Sequence, residues 1–139
     1  MHLEEVKSRM LQFYKETKLN PWEVAIGAGA ALLYHGLREE ANDIDISIPK
    51  KRFEKYRDQG NFPKDSYVVP YDEAIDLHVR ENMVGSVQTI WGSFYSLEEI
   101  IDQKETLLKL PHRSPEKKAQ DKKDIEAAKK KLKTILERW

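Results

Sequence analysis

Two carboxylates one residue apart, in Asp43-Ile44-Asp45, are the groups in this chain best placed to do chemistry. Apolar and acidic side chains alternate from Asp43 to Ile46, the period of a strand with one buried face, so both carboxylates are expected on the other face. Two residues of strand advance about 6 to 7 Å. Side chains at that spacing can lean toward one point and hold two divalent cations about 3.5 to 4 Å apart. A third carboxylate is offered by Ile75-Asp76-Leu77-His78-Val79, whose alternation groups Asp76 with His78 and sets the aliphatics opposite. Ahead of the acidic pair, the small-residue turn Gly27-Ala28-Gly29 follows an apolar strand and opens a helix, where backbone N–H groups suit a polyphosphate. Phosphates beside metal-binding carboxylates suit transfer of a nucleotidyl group from a nucleoside triphosphate to a hydroxyl, by in-line attack at the α-phosphorus.

The elements that must position these groups alternate along the chain. His2 to Lys18 reads as an amphipathic helix, with Leu3, Val6, Met10, Phe13, Tyr14 and Thr17 at helical spacing, and Asn20-Pro21 ends it. Glu23 to Ile26 reads as the first strand and Ala28 to Gly36 as an alanine-rich helix. The acidic strand follows, then a charged helix from Pro49 toward Gly60. Tyr67-Val68-Val69 and Ala74 to Val79 read as strands around a turn, and Met83 to Ile90 as a weaker strand with Gly85 as a bulge. Ser96-Leu97-Glu98-Glu99 is a capping box that opens a helix to about Leu110. Pro111 breaks that helix, and Ser114-Pro115 starts a last one running to the end, with Ile125, Ala128, Leu132, Ile135 and Trp139 as its stripe.

With 139 residues, 40% of them hydrophobic, the chain suffices for one core. A single domain over 1–139 is expected, with its core in 22–110 and a basic C-terminal helix at 115–139. The absence of cysteine excludes disulfide, zinc-thiolate and thiol-nucleophile chemistry. A charged amino terminus without an apolar signal core, and no apolar run of membrane-spanning length, predict a cytoplasmic protein with no membrane partner. Net charge is zero but unevenly spread: 1–102 carry 12 Lys+Arg against 18 Asp+Glu, and 103–139 carry 12 against 6. The basic end could screen an anionic substrate or simply balance the acidic body.

Lys104 interrupts the apolar stripe Leu97, Ile100, Ile101, Leu107 and Leu108, and an inward lysine needs an anionic partner or a route to water. On the last helix, Asp121 and Lys117 extend the buried stripe backward, either capping a wet helix end or pointing into a cleft. His78 could orient a carboxylate or be an ordinary strand residue, and His35 sits at a helix end favoured for a cation.

Taken in order, Ala28-Gly29, Ala31-Leu32, His35-Gly36, Arg38 and Asp43-Ile44-Asp45 resemble the signature of the polymerase-beta-like nucleotidyltransferase superfamily. The likeness is to its small bacterial and phage members, among them enzymes of abortive-infection and toxin–antitoxin systems. It continues at Asp76, in the position of that family's third carboxylate. It extends more loosely to Lys104 and to Asp121 to Asp124, so that it covers roughly residues 22 to 128. The resemblance implies an α+β fold, a small mixed sheet packed with helices, ending in C-terminal helices. It implies two Mg2+ ions, with Mn2+ as a substitute, on Asp43, Asp45 and Asp76. It also implies that the turn at Gly27, Ala28 and Gly29, with Arg38, Lys104 and Asp121, serves a nucleoside triphosphate.

Three function classes follow. The first is a metal-dependent nucleotidyltransferase whose acceptor is RNA, protein or a small molecule. Lys117, Lys118, Lys122 and Lys123 suit a phosphate backbone and favour RNA, although no aromatic residues interleave with them. The second is a non-catalytic member of the same fold that binds nucleotide or a partner and regulates, an alternative supported by the turn, where Gly27-Ala28 and Gly29 offer two registers for the family's usual Gly-Gly or Gly-Ser pair. The third is a two-metal phosphohydrolase using the same carboxylates on water. Trp22, Trp91 and Trp139 leave a homo-oligomer open.

Overall fold

The computed structural model describes residues 1–79 and 85–138. Met83 and Val84, expected to begin a strand, and Trp139, expected on the last helical stripe, lie outside the described residues. The fold is α+β: a six-stranded mixed sheet in the order β3-β4-β2-β1-β6-β5, packed with helices.

The chain begins with α1, Leu3–Thr17, which buries Val6, Met10, Phe13 and Thr17 along one stripe. Lys18 ends it in the left-handed region at φ 62°. A 3-10 turn over Pro21–Glu23 precedes β1, Ala25–Ile26. The first strand is therefore shorter than expected, because proline seeds a tight turn that takes up Glu23. Next come α2 at Ala28–Tyr34, β2 at Ile44–Ile48 and α3 at Lys50–Gln59. Helix α2 stops ahead of Gly36, whose φ of 75° suits a residue without a Cβ. Strands β3, Val68–Pro70, and β4, Ile75–Val79, follow. The sheet is completed by β5, Val87–Thr89, and β6, Gly92–Phe94, a strand that the sequence pattern does not announce. Two helices close the chain: α4, Leu97–Leu108, opened by the expected capping box at Ser96 and Glu99, and α5, Pro115–Glu137, capped by Ser114.

Pairing is antiparallel for β1 with β2, β3 with β4 and β5 with β6, and parallel for β2 with β4 and β1 with β6. Ile44, Ile46, Ile48, Ile75 and Leu77 alternate onto one face and join Val6, Met10 and Phe13 of α1 and Phe53 of α3 in the core. The opposite face carries Asp45 and Ser47 on β2 beside Asp76 and His78 on β4, matched pair by pair in the ladder. Full burial of an isoleucine or leucine gains about 1.5–3 kcal/mol, so a slip of one residue, turning this set outward, is strongly disfavoured. Among the described residues, no helix is long and apolar enough to cross a membrane. Trp22 is mostly exposed, whereas Trp91 is half-buried with the Lys7 ammonium 4.3 Å from its ring centroid.

Candidate metal centre

Asp45 and Asp76 face each other because parallel strands β2 and β4 place them in register, neighbours across one interstrand spacing. The start of β4 is pinned from both sides. Asp72 accepts hydrogen bonds from the Ala74 and Ile75 N–H groups, each 2.8 Å, and the Ile44 N–H donates to the Ala74 carbonyl at 2.7 Å. Asp43 stands immediately before β2 and reaches the same place. One carboxylate oxygen from each of Asp43, Asp45 and Asp76 lies within 4.8 Å of the others. The three residues singled out by alternation thus converge, although Asp43 is exposed and the other two are half-buried.

Crowding acid groups has an electrostatic signature. Burial holds the Asp43 carboxyl above its ordinary range, and the Asp45 and Asp76 charges push it the same way, against a partial offset from His78 and Lys117. A cation among these carboxylates would relieve that repulsion. All three donors are hard oxygens, the set that suits Mg2+ or Mn2+ rather than a thiophilic metal.

The turn that opens α2 lies against this centre. The Gly27 N–H donates to the Asp45 carbonyl at 2.8 Å, and a Cβ on Gly27 would stand 3.1 Å from that same oxygen. The first intrahelical bond runs from the Ala31 N–H to the Gly27 carbonyl, so the amides of Ala28, Gly29 and Ala30 precede the helical ladder. Gly27 and Asp45 also line a cavity of about 90 Å³ with Ser47, His78, Tyr95 and Gln103. Burial above all, then the nearby charges of Glu99 and Asp45, push the Tyr95 hydroxyl up to about 12. The Gln103 Oε1 atom is buried without a hydrogen-bond partner.

Arg38, Lys104 and Asp121 come together in a second cluster. Lys104 is buried and donates to Asp121 at 3.2 Å, with Asp124 at 3.3 Å, so its anionic partners are on α5. Arg38 donates to Asp124 at 2.9 Å, and Arg113 reaches both oxygens of Asp121 at 2.5 and 3.0 Å. Burial opposes ionisation of Asp121, but hydrogen bonds from Arg113 and Lys104 outweigh it and hold the carboxyl below its usual range. Asp121 therefore points inward; it is not a wet helix cap. Among the described residues, no ion pair joins this cluster to the three carboxylates. Lys117, one turn earlier on α5, contributes a favourable field at Asp43.

Sequence reasoning missed Arg113. It precedes the Ser114 cap of α5 and reaches along that helix to Asp121, a contact that stripe periodicity does not reveal. His35 has a structural role: its Nε2 is 2.8 Å from the Tyr95 carbonyl, tying the end of α2 to the end of β6. The chain matches no protein-family model, no curated protein and no solved structure in the comparisons made.

Proposed function

We propose that this protein is a cytoplasmic, metal-dependent nucleotidyltransferase that moves a nucleoside monophosphate from a nucleoside triphosphate onto a hydroxyl acceptor. The observation that carries this reading is the meeting of Asp43, Asp45 and Asp76 within 4.8 Å beside the Gly27 turn. The family likeness of residues 24–48, which takes in Asp43 and Asp45 themselves, supports the same reading.

On this reading Asp43, Asp45 and Asp76 hold two Mg2+ ions. Such ions would neutralise phosphate charge and make the attacking hydroxyl more acidic. The chain's own work is positional. In the turn at Gly27 to Gly29 the Gly27 N–H is held by the Asp45 carbonyl, and the amides of Ala28 and Gly29 are the ones offered to the β- and γ-phosphates. Asp76 accepts the proton of the attacking hydroxyl as its oxygen bonds to the α-phosphorus, the bond to the β-phosphate breaks, and pyrophosphate leaves. The cluster of Arg38, Lys104, Arg113, Asp121 and Asp124 holds α4 and α5 in place beside the centre.

The test is purified protein with Mg2+, a labelled nucleoside triphosphate and a panel of RNA, protein and small-molecule acceptors. Label should move to an acceptor, and Asp43→Ala and Asp76→Ala should each lower transfer by about 10³-fold or more. Release of nucleotide without an acceptor at enzyme-like rates would point instead to a phosphohydrolase.

One observation favours a second reading, a non-catalytic regulator of the same fold. Arg38 and Lys104, the cations the resemblance gives to the triphosphate, are both committed to carboxylates of α5. Tight triphosphate binding with no turnover across the acceptor panel would select it.

A further inference from the structure

His78 lies two residues along β4 from Asp76, opposite Ser47, on the same face as the acidic residues. Its imidazole leans back along the sheet, and Nε2 comes within 3.2 Å of the Asp45 Oδ1 atom. His78 nevertheless falls outside the group whose ligand atoms lie within 4.8 Å of one another, which among the described residues holds Asp43, Asp45 and Asp76. It therefore stands behind Asp45 and not among the prospective ligands. The pair is partly shielded, with side-chain exposures of 34% for His78 and 48% for Asp45, so water competes with this contact less than at an open surface.

We propose that His78 is a positioning residue for the metal centre: an Nε2–H donor to Asp45 that fixes the rotation of its carboxylate. The inference rests on the metal-site reading of the three carboxylates. Each carboxylate oxygen has two lone-pair sites, so a hydrogen bond to Oδ1 leaves Asp45 able to bind a cation with its remaining pairs. What it removes is free rotation about the terminal torsion of the side chain, which is broad for aspartate. The neighbours limit the alternatives. Gly27 and the β2 backbone close one side of Asp45, and Tyr95 and Gln103 line the cavity on another. Partners that orient a ligating carboxylate typically account for about 10- to 100-fold in metal affinity.

The experiment uses the full chain and Mn2+ alone, with free ion counted by electron paramagnetic resonance and no nucleotide present. His78→Ala should weaken Mn2+ binding by about 10-fold or more. His78→Gln, whose amide nitrogen can occupy the place of Nε2, should restore binding to within about 3-fold of wild type, a rescue on the scale of one retained hydrogen bond. Both variants should melt, metal-free, at the wild-type temperature. Unchanged Mn2+ affinity in His78→Ala overturns the proposal. Equal losses in the Ala and Gln variants also overturn it, because they would mean that the imidazole itself binds the ion or that packing alone matters.

Asp76→Asn separates this inference from the reading beneath it. If wild type binds Mn2+ no better than Asp76→Asn, the centre is not a metal site and both fall. If the His78 pattern holds while no nucleotidyl transfer is found, the positioning role stands and the transferase reading falls.

Discussion

A methyl group on Gly27 would press on the carbonyl oxygen of Asp45 at 3.1 Å, and that oxygen is backbone, fixed by the sheet and by the Gly27 N–H. Gly29, two residues on, meets only the Arg38 guanidinium, at an ordinary 3.8 Å. The two glycines of one turn should therefore respond oppositely to alanine. Gly27→Ala should cost about 1–3 kcal/mol by forcing α2 away from β2. Gly29→Ala, inside the first turn of a helix, should gain about 0.5–1 kcal/mol. Urea denaturation of both variants measures the contrast, and equal effects would contradict the close approach. The placement of residues was legible where a short period governs it. Alternation alone groups Asp43 with Asp45 and Asp76 with His78, because a strand leaves each side chain only two directions. It could not reveal that His78 of β4 touches Asp45 of β2, which depends on the two strands being parallel neighbours in one register.

Helices α4 and α5 are joined by charge as well as by apolar contact, since Lys104 meets Asp121 and Asp124 where the stripe of α4 is interrupted. Removing Asp121 leaves Arg113 without its carboxylate and Lys104 with Asp124 alone, so Asp121→Asn should cost about 3 kcal/mol, the low end for a broken buried pair. The pH dependence has a definite sign. Because the folded-state pKa of Asp121 is depressed, its contribution is present above the ordinary carboxylate range and is lost as pH falls through the folded value. Wild type should lose stability on acidification more steeply than Asp121→Asn, as chemical denaturation at a series of pH values would show. The capping box of α4 and the Ser-Pro start of α5 were plain in the sequence, because caps are local chemistry. Strand β6 was not: it has three residues and starts at Gly92, which reads as a turn and has φ 131°. The aromatic run of Trp91, Phe94 and Tyr95 was its one signal. Phe94 is fully buried and stacks on Tyr34, a contact that no periodicity discloses.

Across the whole molecule, the acidic body and basic C-terminal end meet at the centre, where Lys117 lies close enough to bias Asp43. If RNA is the acceptor, neutralising Lys117, Lys118, Lys122 and Lys123 should flatten the dependence of log affinity on log salt by up to about 3, at roughly 0.7 per contact on single strands. Filter binding over a salt series reads this directly, and salt-independent association would exclude RNA. The helices at both ends followed from periodic segments, whereas the α+β class was what the family resemblance implied. The strand order followed from neither, since it is set by which distant edges find each other. That order has a consequence for assembly. Strand β1 contributes only Ala25 and Ile26, yet these two residues join one half of the sheet to the other, through Ser47 and Ile46 on one flank and Ser93 and Phe94 on the opposite flank. Such a narrow seam cannot close during synthesis until the chain beyond Phe94 has emerged. The amides of Ala25 and Ile26 should then be among the last to gain protection in a pulse-labelled refolding experiment, after the β3-β4-β2 half is already stitched.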